Sequence, residues 1–159
     1  MLVMAAERKQ VHIFTDGSCD TTSGDGGWGY LLIYQDRRRT ASGFEAGTTN
    51  NRMELTAAVE ALAALKESCD VTIVTDSRYL KRAFTDGWLD NWQATGWRTA
   101  NRSPVKNQDL WVRLLELAAS HDIHWRWTRG HAGHSDNEQV DQLALKARRE
   151  GRAARLREG

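Results

Sequence analysis

Thiols, membrane-length apolar runs and targeting features are all scarce in this 159-residue sequence. The two cysteines, Cys19 and Cys69, have no partners at metal-ligand spacing, which favours free thiols in a reducing compartment. The apolar run ALAAL (61–65) is ended by charged residues and is too short to span a membrane. The apolar stretch at the N-terminus is too short for a signal peptide. We therefore expect a cytoplasmic protein.

Charge is unevenly distributed, although the net charge is only +1. Residues 146–159 hold six Lys/Arg and two Glu, so this tail carries +4 and residues 1–145 carry −3. A basic tail is usually the solvated face of a helix, and binding of a polyanion is the alternative. The length fits a single domain with one sizeable core.

Hydrophobic periodicity predicts a mixed α/β fold. The predicted strands cover residues 11–14, 28–34, 39–44, 71–75 and 123–128. The predicted helices cover residues 51–68, 77–84, 107–120 and 137–157. The segment 17–27 is predicted to be a Gly-rich loop, and the segment 88–106 to be irregular. Three successive strands followed by helix–strand crossovers predict a mixed sheet covered by helices.

Two of the predicted strands end in similar sequences. The first runs into TDGS (15–18) and the fourth into TDSR (75–78). If these strands are parallel neighbours, Asp16 and Asp76 lie side by side at their C-terminal ends, where open α/β sheets bind ligands. Each aspartate alone could instead start a turn or cap a helix, but the repeated pattern favours a shared site.

Two more acids are candidates for the same site. Glu54 lies at N3 or N4 of its helix, one place before the apolar stripe begins, and a capping or dipole-compensating role is the alternative. Asp141 lies on the sheet-facing side of the last predicted helix, near Leu143 and Leu145. Converging carboxylates repel one another unless cations neutralise them, so the four acids indicate a metal site.

The stretch RGHAGHSDNEQVD (129–141) contains two histidines, which makes zinc a candidate ion. His131 and His134 do not form the H-E-x-x-H pattern, and the two glycines indicate a loop rather than a rigid pair of ligands. Carboxylate oxygens instead select Mg²⁺ or Mn²⁺. A carboxylate cluster that holds two Mg²⁺ about 4 Å apart is the arrangement for in-line phosphodiester chemistry.

Several segments together resemble the bacterial type 1 ribonuclease H (ribonuclease HI) family, in order from about Val11 to Ala147. They are FTDGSC (14–19), TTNNRMEL (48–55), TDSRYL (75–80), PVKNQDLW (104–111) and RGHAGHSDNEQVD (129–141). The resemblance implies a ribonuclease H-like α/β fold, a five-stranded mixed sheet of order 3-2-1-4-5 flanked by helices. It also implies a catalytic domain at residues 1–147, with residues 148–159 as a basic tail that continues the last helix.

The resemblance implies an endonuclease that hydrolyses the RNA strand of RNA–DNA hybrids and leaves 5′-phosphate and 3′-hydroxyl ends. The residues that match the family's catalytic positions are Asp16, Glu54, Asp76, His131 and Asp141. The four acids match the carboxylates that hold two Mg²⁺ ions with substrate bound, and Mn²⁺ is a substitute. His131 matches a loop histidine thought to shuttle protons and assist product release. His134 is expected to be structural.

Further positions match the family's hybrid-binding surface. Those that line the minor groove, where only RNA offers a 2′-hydroxyl, are Gly17, Cys19, Thr22, Asn51, Ser77 and Arg78. Thr49 and Asn50 match part of a pocket for a DNA-strand phosphate. Trp88 and Trp92 match an aromatic face against the DNA strand, although their i, i+4 spacing also fits a core role that anchors the 88–106 segment.

The sequence departs from the family's usual pattern on this surface. Thr22 stands where an asparagine usually reads a 2′-hydroxyl, and Arg78 stands where a glutamine is frequent. Gly47 replaces a phosphate-pocket arginine, and residues 93–95 lack the usual Lys/Arg cluster. Fewer cations predict weaker hybrid binding with a shallower salt dependence, for which the basic tail is a candidate compensation.

The implied partner is an RNA–DNA hybrid, with no membrane and no obligate protein partner, and we expect a monomer. A catalytically inactive hybrid-binding module of the same fold is one alternative, which the five filled reactive positions disfavour. Another nuclease or strand transferase, such as a resolvase or transposase core, is a second alternative. Those proteins normally carry longer insertions or extra DNA-binding domains than 159 residues allow.

Overall fold

The computed structural model describes residues 8–129 and 135–158. Its strands are β1 (Lys9–Cys19), β2 (Gly26–Tyr34), β3 (Arg37–Glu45), β4 (Cys69–Thr75) and β5 (Asp122–Trp127). Its helices are α1 (Asn50–Ala63), α2 (Arg78–Thr85), α3 (Trp88–Ala94), α4 (Gln108–Ala118) and α5 (Ser135–Glu158). Among these helices, none is both long enough and apolar enough to cross a bilayer.

The strands form one mixed sheet in the order β3-β2-β1-β4-β5. The first three pair antiparallel, and β4 pairs parallel with both β1 and β5. This topology confirms the predicted fold class and strand order. It also confirms that the strand that carries Asp16 and the strand that ends just before Asp76 are parallel neighbours.

Strand β1 is longer than its hydrophobic pattern indicates. Its parallel pairing with β4 ends at Phe14 opposite Val74, but its antiparallel pairing with β2 continues to Cys19 opposite Gly26. The prediction that a loop begins at Gly17 is therefore wrong by three residues. The ladder hydrogen bonds with β2 are made by the backbone, so they persist where the side chains no longer alternate.

Helices α1 and α5 cover opposite faces of the sheet. Neighbouring residues of a strand face opposite sides, and a Cβ at Gly26 would contact Met53 of α1, whereas a Cβ at Gly27 would collide with Ala144 of α5. The missing side chain at Gly27 therefore lets α5 approach the strand directly. Four residues of the predicted apolar stripe of α1, Leu55, Ala58, Val59 and Leu62, are buried in the core, whereas the fifth, Leu65, lies beyond the end of the helix and is only partly buried.

Two helix predictions need correction. Helix α1 ends at Ala63 rather than at residue 68, because its final turn tightens, with the Leu65 amide donating to the Leu62 carbonyl, and residues 67–68 are exposed. Residues 88–94, predicted to be irregular, form α3, which begins after Gly87 in the left-handed conformation. Leu89 is buried there, so tertiary packing stabilises this short helix.

Candidate active site

Asp16 lies inside β1, two residues beyond the last β1–β4 pair. The prediction that it stands at a strand end is therefore wrong, because β1 still pairs with β2 there. Its side chain is only 7% exposed, and its Oδ1 accepts a hydrogen bond from the Gly17 amide at 2.9 Å. A Cβ on residue 17 would collide with the backbone of α1, so this glycine brings α1 close to Asp16.

Glu54 comes from α1, one residue later in the helix than predicted. Thr49 is the N-cap, and its side chain accepts from the Arg52 amide at 3.1 Å, which makes Glu54 the fifth helical residue rather than N3 or N4. A capping role for Glu54 is therefore wrong. Its Oε1 accepts from the Gly17 amide at 3.2 Å, and its buried Oε2 has no hydrogen-bond partner among the described residues.

Asp76 follows the last residue of β4 and precedes α2. The turn is held by Ser77, which caps α2 by accepting from the Leu80 amide at 3.1 Å. Each of Asp16, Glu54 and Asp76 offers one carboxylate oxygen such that all three atoms lie within 4.8 Å of one another. The predicted convergence of these acids at the sheet edge is what the structure shows.

Asp141 reaches the same place from α5. It lines the same cavity of about 390 Å³ as the other three acids, and it is close enough to Asp16 to raise the pKa of that group. Helices α1 and α5, strand β1 and the turn after β4 therefore contribute one acid each. Four carboxyl groups at one cavity give the site a negative electrostatic potential when they are ionised.

Burial and crowding change the acidity of this cluster. The pKa of Asp16 is raised to about 7, first because the group is buried and then because it hydrogen-bonds to Asp141. Burial also raises the pKa of Glu54 well above its usual value, and the neighbouring Asp16 charge adds to the effect. Both shifts have the same physical origin, since carboxylates without water or cations resist ionisation. A bound cation would reverse that balance.

The histidine positions lie outside the described residues. His131 and His134 fall between the described ranges, so their predicted roles in proton transfer and in structure stay predictions. Arg129, the last described residue before them, is exposed and lines a cavity of about 560 Å³ beside Asp76.

Most of the predicted hybrid-binding residues border the acidic cavity. Those that line it are Gly17, Cys19, Asn50, Asn51, Ser77 and Arg78. Thr49 is adjacent as the N-cap of α1, and Thr22 is exposed in the turn between β1 and β2. Both cysteines are free, as expected.

Trp88 and Trp92 lie elsewhere, in an aromatic cluster rather than at the cavity. Their ring centroids are 5.8 Å apart, and Trp92 is also 5.8 Å from the buried Trp111. Both are only partly buried, so each has a packed side and an accessible side. Both tryptophans therefore help to anchor the 88–106 segment, as their spacing indicated. Their packing against the DNA strand stays a prediction.

Tyr79 is a residue of this site that the sequence reasoning missed. It lines the cavity, and its hydroxyl accepts hydrogen bonds from Trp111 Nε1 at 2.8 Å and Asn107 Nδ2 at 3.2 Å. The segments TDSRYL and PVKNQDLW thus meet through one phenol, which ties the turn after Asp76 to α4. The sequence offered one indication of this contact, because Tyr79 and its two hydrogen-bond donors all lie in segments that resemble the ribonuclease H family.

Lys81 is a second missed residue. It lines the cavity beside Asp76 together with Arg78 and Arg129. This side of the acidic site is therefore basic, which suits an approaching polyanion.

Comparisons with known proteins agree with this architecture. A family model described as RNase H matches residues 8–149. The ribonuclease H of Halorhodospira halophila is 55% identical over 141 residues, which cover 89% of this chain and 94% of that protein. The ribonuclease H of Nitrosococcus oceani is 58% identical over 137 residues, covering 86% of this chain and 92% of that protein.

A solved structure gives the same result. The crystal structure of LC9-RNase H1, described as a type 1 RNase H with the type 2 active-site motif, matches with a TM-score of 0.80 and 32% identity. The match covers 91% of this chain and 74% of that one. Because the family model and the relatives span most of its length, the chain belongs to the ribonuclease H family.

Proposed function

We propose that this protein is a ribonuclease H that hydrolyses the RNA strand of RNA–DNA hybrids at the acidic cavity. The observation that carries the proposal is the convergence of Asp16, Glu54 and Asp76, whose ligand oxygens lie within 4.8 Å of one another. Products with 5′-phosphate and 3′-hydroxyl ends belong to the same proposal. A monomeric state and a cytoplasmic location stay predictions from the sequence.

The residues present suit a hard divalent cation. All four donors are carboxylates, and the buried Oε2 of Glu54 has no hydrogen-bond partner among the described residues, which leaves it available to a metal. Oxygen donors favour Mg²⁺, with Mn²⁺ as a substitute, and we propose two ions held by Asp16, Glu54, Asp76 and Asp141. When bound, the metal supplies charge neutralisation and Lewis-acid polarisation at the scissile phosphate.

The chain's own groups hold this arrangement in place. The Gly17 amide donates to both Asp16 and Glu54, so it fixes one oxygen of each and leaves Oε2 of Glu54 for a ligand. Asp141 joins from α5 as a further acid that lines the same cavity. We assign His131 to proton transfer near the leaving group, on the strength of the family resemblance.

The cavity rim supplies the groups that distinguish RNA from DNA. Amide and hydroxyl groups of Asn51 and Ser77 border the acids, where a 2′-hydroxyl next to the scissile phosphate would lie. Thr49 and Asn50 stand at the N-terminus of α1, whose free amides favour a phosphate. Contacts on both strands would make the hybrid the preferred duplex.

The test is cleavage of a hybrid labelled on its RNA strand, with duplex RNA and duplex DNA of the same sequence in parallel. Each substrate is incubated in Mg²⁺, Mn²⁺ and EDTA, and the product ends are read with phosphatase and ligase. We expect cutting of the hybrid's RNA strand alone, abolished by EDTA. Hybrid binding without cutting in any metal would instead support the inactive binding module.

A further inference from the structure

Three arginines of the C-terminal helix form one stripe. Arg148, Arg152 and Arg155 are spaced by four and three residues, which places them on the same face of α5. This stripe faces the turn that connects β1 to β2, residues 20–25, and the end of β1 before it. Half of the six basic residues of the tail are therefore directed at another part of the same chain.

Each arginine of the stripe donates a hydrogen bond to this part of the chain. Arg148 donates to the hydroxyl of Ser18 at 2.9 Å, and the next arginine, Arg152, donates to Oδ2 of Asp20 at 3.1 Å. Arg155 makes the strongest contact, because its Nε and Nη2 donate to the two oxygens of Asp25 at 3.0 and 2.7 Å. The stripe thus follows the chain from β1 into the turn.

Asp25 is the anchor of this interaction. Its side chain is 1% exposed, and a buried carboxylate needs a cation and hydrogen bonds to stay ionised. Arg155 supplies both and is the main reason why the pKa of Asp25 lies below its usual value, and Arg152, with its Nε 3.7 Å from Oδ2 of Asp25, adds a second positive charge. The acid of this pair is therefore buried, while Arg155 covers it from an exposed position on α5.

Hydrogen bonds within the turn connect its residues, so contacts that hold Asp20 and Asp25 also hold the other residues of the turn. The Asp20 amide donates to the Asp25 carbonyl at 2.9 Å, and the Gly24 amide donates to the Asp20 carbonyl at 2.8 Å. The Thr22 amide donates to Oδ1 of Asp20 at 2.9 Å. A displacement of Asp20 or Asp25 would therefore carry Thr22 with it.

The same turn also reaches the segment before α1. The Thr48 amide donates to the Gly24 carbonyl at 2.9 Å, and the thiol of Cys19 lies 3.5 Å from the Thr48 carbonyl oxygen. Thr48 precedes Thr49 and Asn50, which are proposed to grip the DNA strand. The stripe, the turn and the start of α1 are thus consecutive members of one hydrogen-bonded chain.

We propose that the arginine stripe of α5, above all Arg155, positions the β1–β2 turn for hybrid binding. The proposal rests on the proposed function, because the turn matters through Thr22, Cys19 and the neighbouring phosphate segment. Arg155 is a positioning residue, since it acts through Asp25. The basic tail then serves hybrid binding through contacts inside the protein, and the positive charges of Arg152 and Arg155 are already matched by Asp20 and Asp25.

The experiment compares Arg155→Ala, Arg155→Lys and Asp25→Asn with the matched control Arg149→Ala. Arg149 is exposed and lies about 100° around the helix from Arg148, off the stripe, so its loss removes the same charge without touching the turn. Steady-state hybrid cleavage gives kcat and KM, hydrogen exchange reports on amides 20–25, and circular dichroism checks folding. Binding at several salt concentrations gives the salt slope.

We expect Arg155→Ala and Asp25→Asn each to raise KM by about five- to twentyfold with kcat within about twofold of wild type. Amides of the turn should exchange faster in both, Arg155→Lys should recover part of the loss, and Arg149→Ala should match wild type. The slope of log affinity against log salt should stay unchanged in Arg155→Ala, because the Arg155 side chain does not contact a phosphate.

Two results would overturn the positioning role. One is unchanged exchange of the turn in Arg155→Ala. The other is a lower salt slope in Arg155→Ala together with tighter binding by Asp25→Asn, which would mean that Arg155 contacts phosphate directly. If the wild type cuts no hybrid, the proposed function fails, but the exchange difference between Arg155→Ala and Arg149→Ala still decides whether the stripe holds the turn.

Discussion

Asp16 on β1 and Glu54 on α1 accept hydrogen bonds from one and the same donor, the Gly17 amide, at 2.9 and 3.2 Å. The amide lies where strand and helix approach most closely, and a Cβ on residue 17 would collide with the backbone of Met53 and Glu54. One glycine therefore sets the relative position of two acids that come from different elements. The metal site we propose depends on that contact.

Gly17→Ala should damage stability and activity together. The added methyl group must push α1 away from β1, which we expect to lower the free energy of unfolding by about 1–3 kcal/mol and hybrid cleavage by at least about tenfold. Urea unfolding and steady-state cleavage measure the two effects. Gly96→Ala is the control, because a Cβ there meets nothing within 4 Å and its cost is confined to the backbone strain of a positive φ. Equal activity in the two variants would contradict the shared-donor arrangement.

The metal-free protein should lose stability as pH rises from about 4 to about 7. The folded state holds a proton on Asp16 up to a pKa of about 7, whereas the unfolded chain releases it near 4, so the unfolded state binds fewer protons in between. Stability from this group is thus complete below about pH 4 and lost by about pH 7. In EDTA, we expect the free energy of unfolding of Asp16→Asn to fall by about 1–4 kcal/mol less than that of the wild type between pH 4 and pH 7. Urea unfolding at pH 4 to 8 provides the measurement.

Mg²⁺ should oppose that decline. The ion competes with protons for the same carboxylates, so it should stabilise the wild type more at pH 8 than at pH 5 and should stabilise Asp16→Asn less at both. A shift in unfolding midpoint that is independent of pH would mean that the ion binds elsewhere.

His131→Ala should slow turnover without eliminating it. A residue that moves protons lowers the barrier but leaves the metal-holding acids intact, so we expect kcat to fall by about ten- to a thousandfold with KM little changed. His134→Ala is the matched control, since the neighbouring histidine is expected to be structural and its loss should leave kcat within about twofold of wild type. Complete loss of cleavage in His131→Ala, or equal effects of both variants, would contradict the assignment.

Arg78→Gln should weaken hybrid binding in a salt-dependent way. Arg78 borders both the acidic cavity and the basic cavity beside it, where a phosphate of the substrate would lie. Removing one phosphate contact should reduce the slope of log affinity against log salt by about 0.9. Arg113→Gln, on an exposed position of α4, is the control and should leave the slope unchanged. An unchanged slope in Arg78→Gln would place this guanidinium away from the phosphates.

Much of the fold could be predicted because it follows from short-range patterns. The stripe Leu55, Ala58, Val59 and Leu62 marks α1 directly, and the β-branched run at 71–75 marks β4. The length of β1 could not be predicted, because residues 17–19 are held by backbone pairing with β2 rather than by their own side chains. Helix α3 was missed because its stability comes from packing of Leu89 and its tryptophans.

The candidate site also has features that could be predicted from the sequence and features that could not. Asp16 and Asp76 were brought together by reasoning on strand ends, although Asp16 proved to lie within a strand. Asp141 is a candidate from its predicted sheet-facing position on the last helix, and the family resemblance implies its role as a metal ligand. The pairing of Arg155 with Asp25 could not be predicted, because 130 residues separate them and the positive charge of the tail does not indicate which acid it contacts.

The most direct test of the central claim is Asp16→Asn measured for hybrid binding and hybrid cleavage in Mg²⁺, with Asp36→Asn as a control at an exposed position between β2 and β3. The amide keeps the shape of the side chain and removes a charge from the metal site without altering the cavity rim. We predict that Asp16→Asn binds the hybrid within about threefold of wild type but cuts it at least about a thousandfold more slowly, while Asp36→Asn matches wild type. Cleavage by Asp16→Asn at the wild-type rate would contradict the assignment of this cavity as the active site.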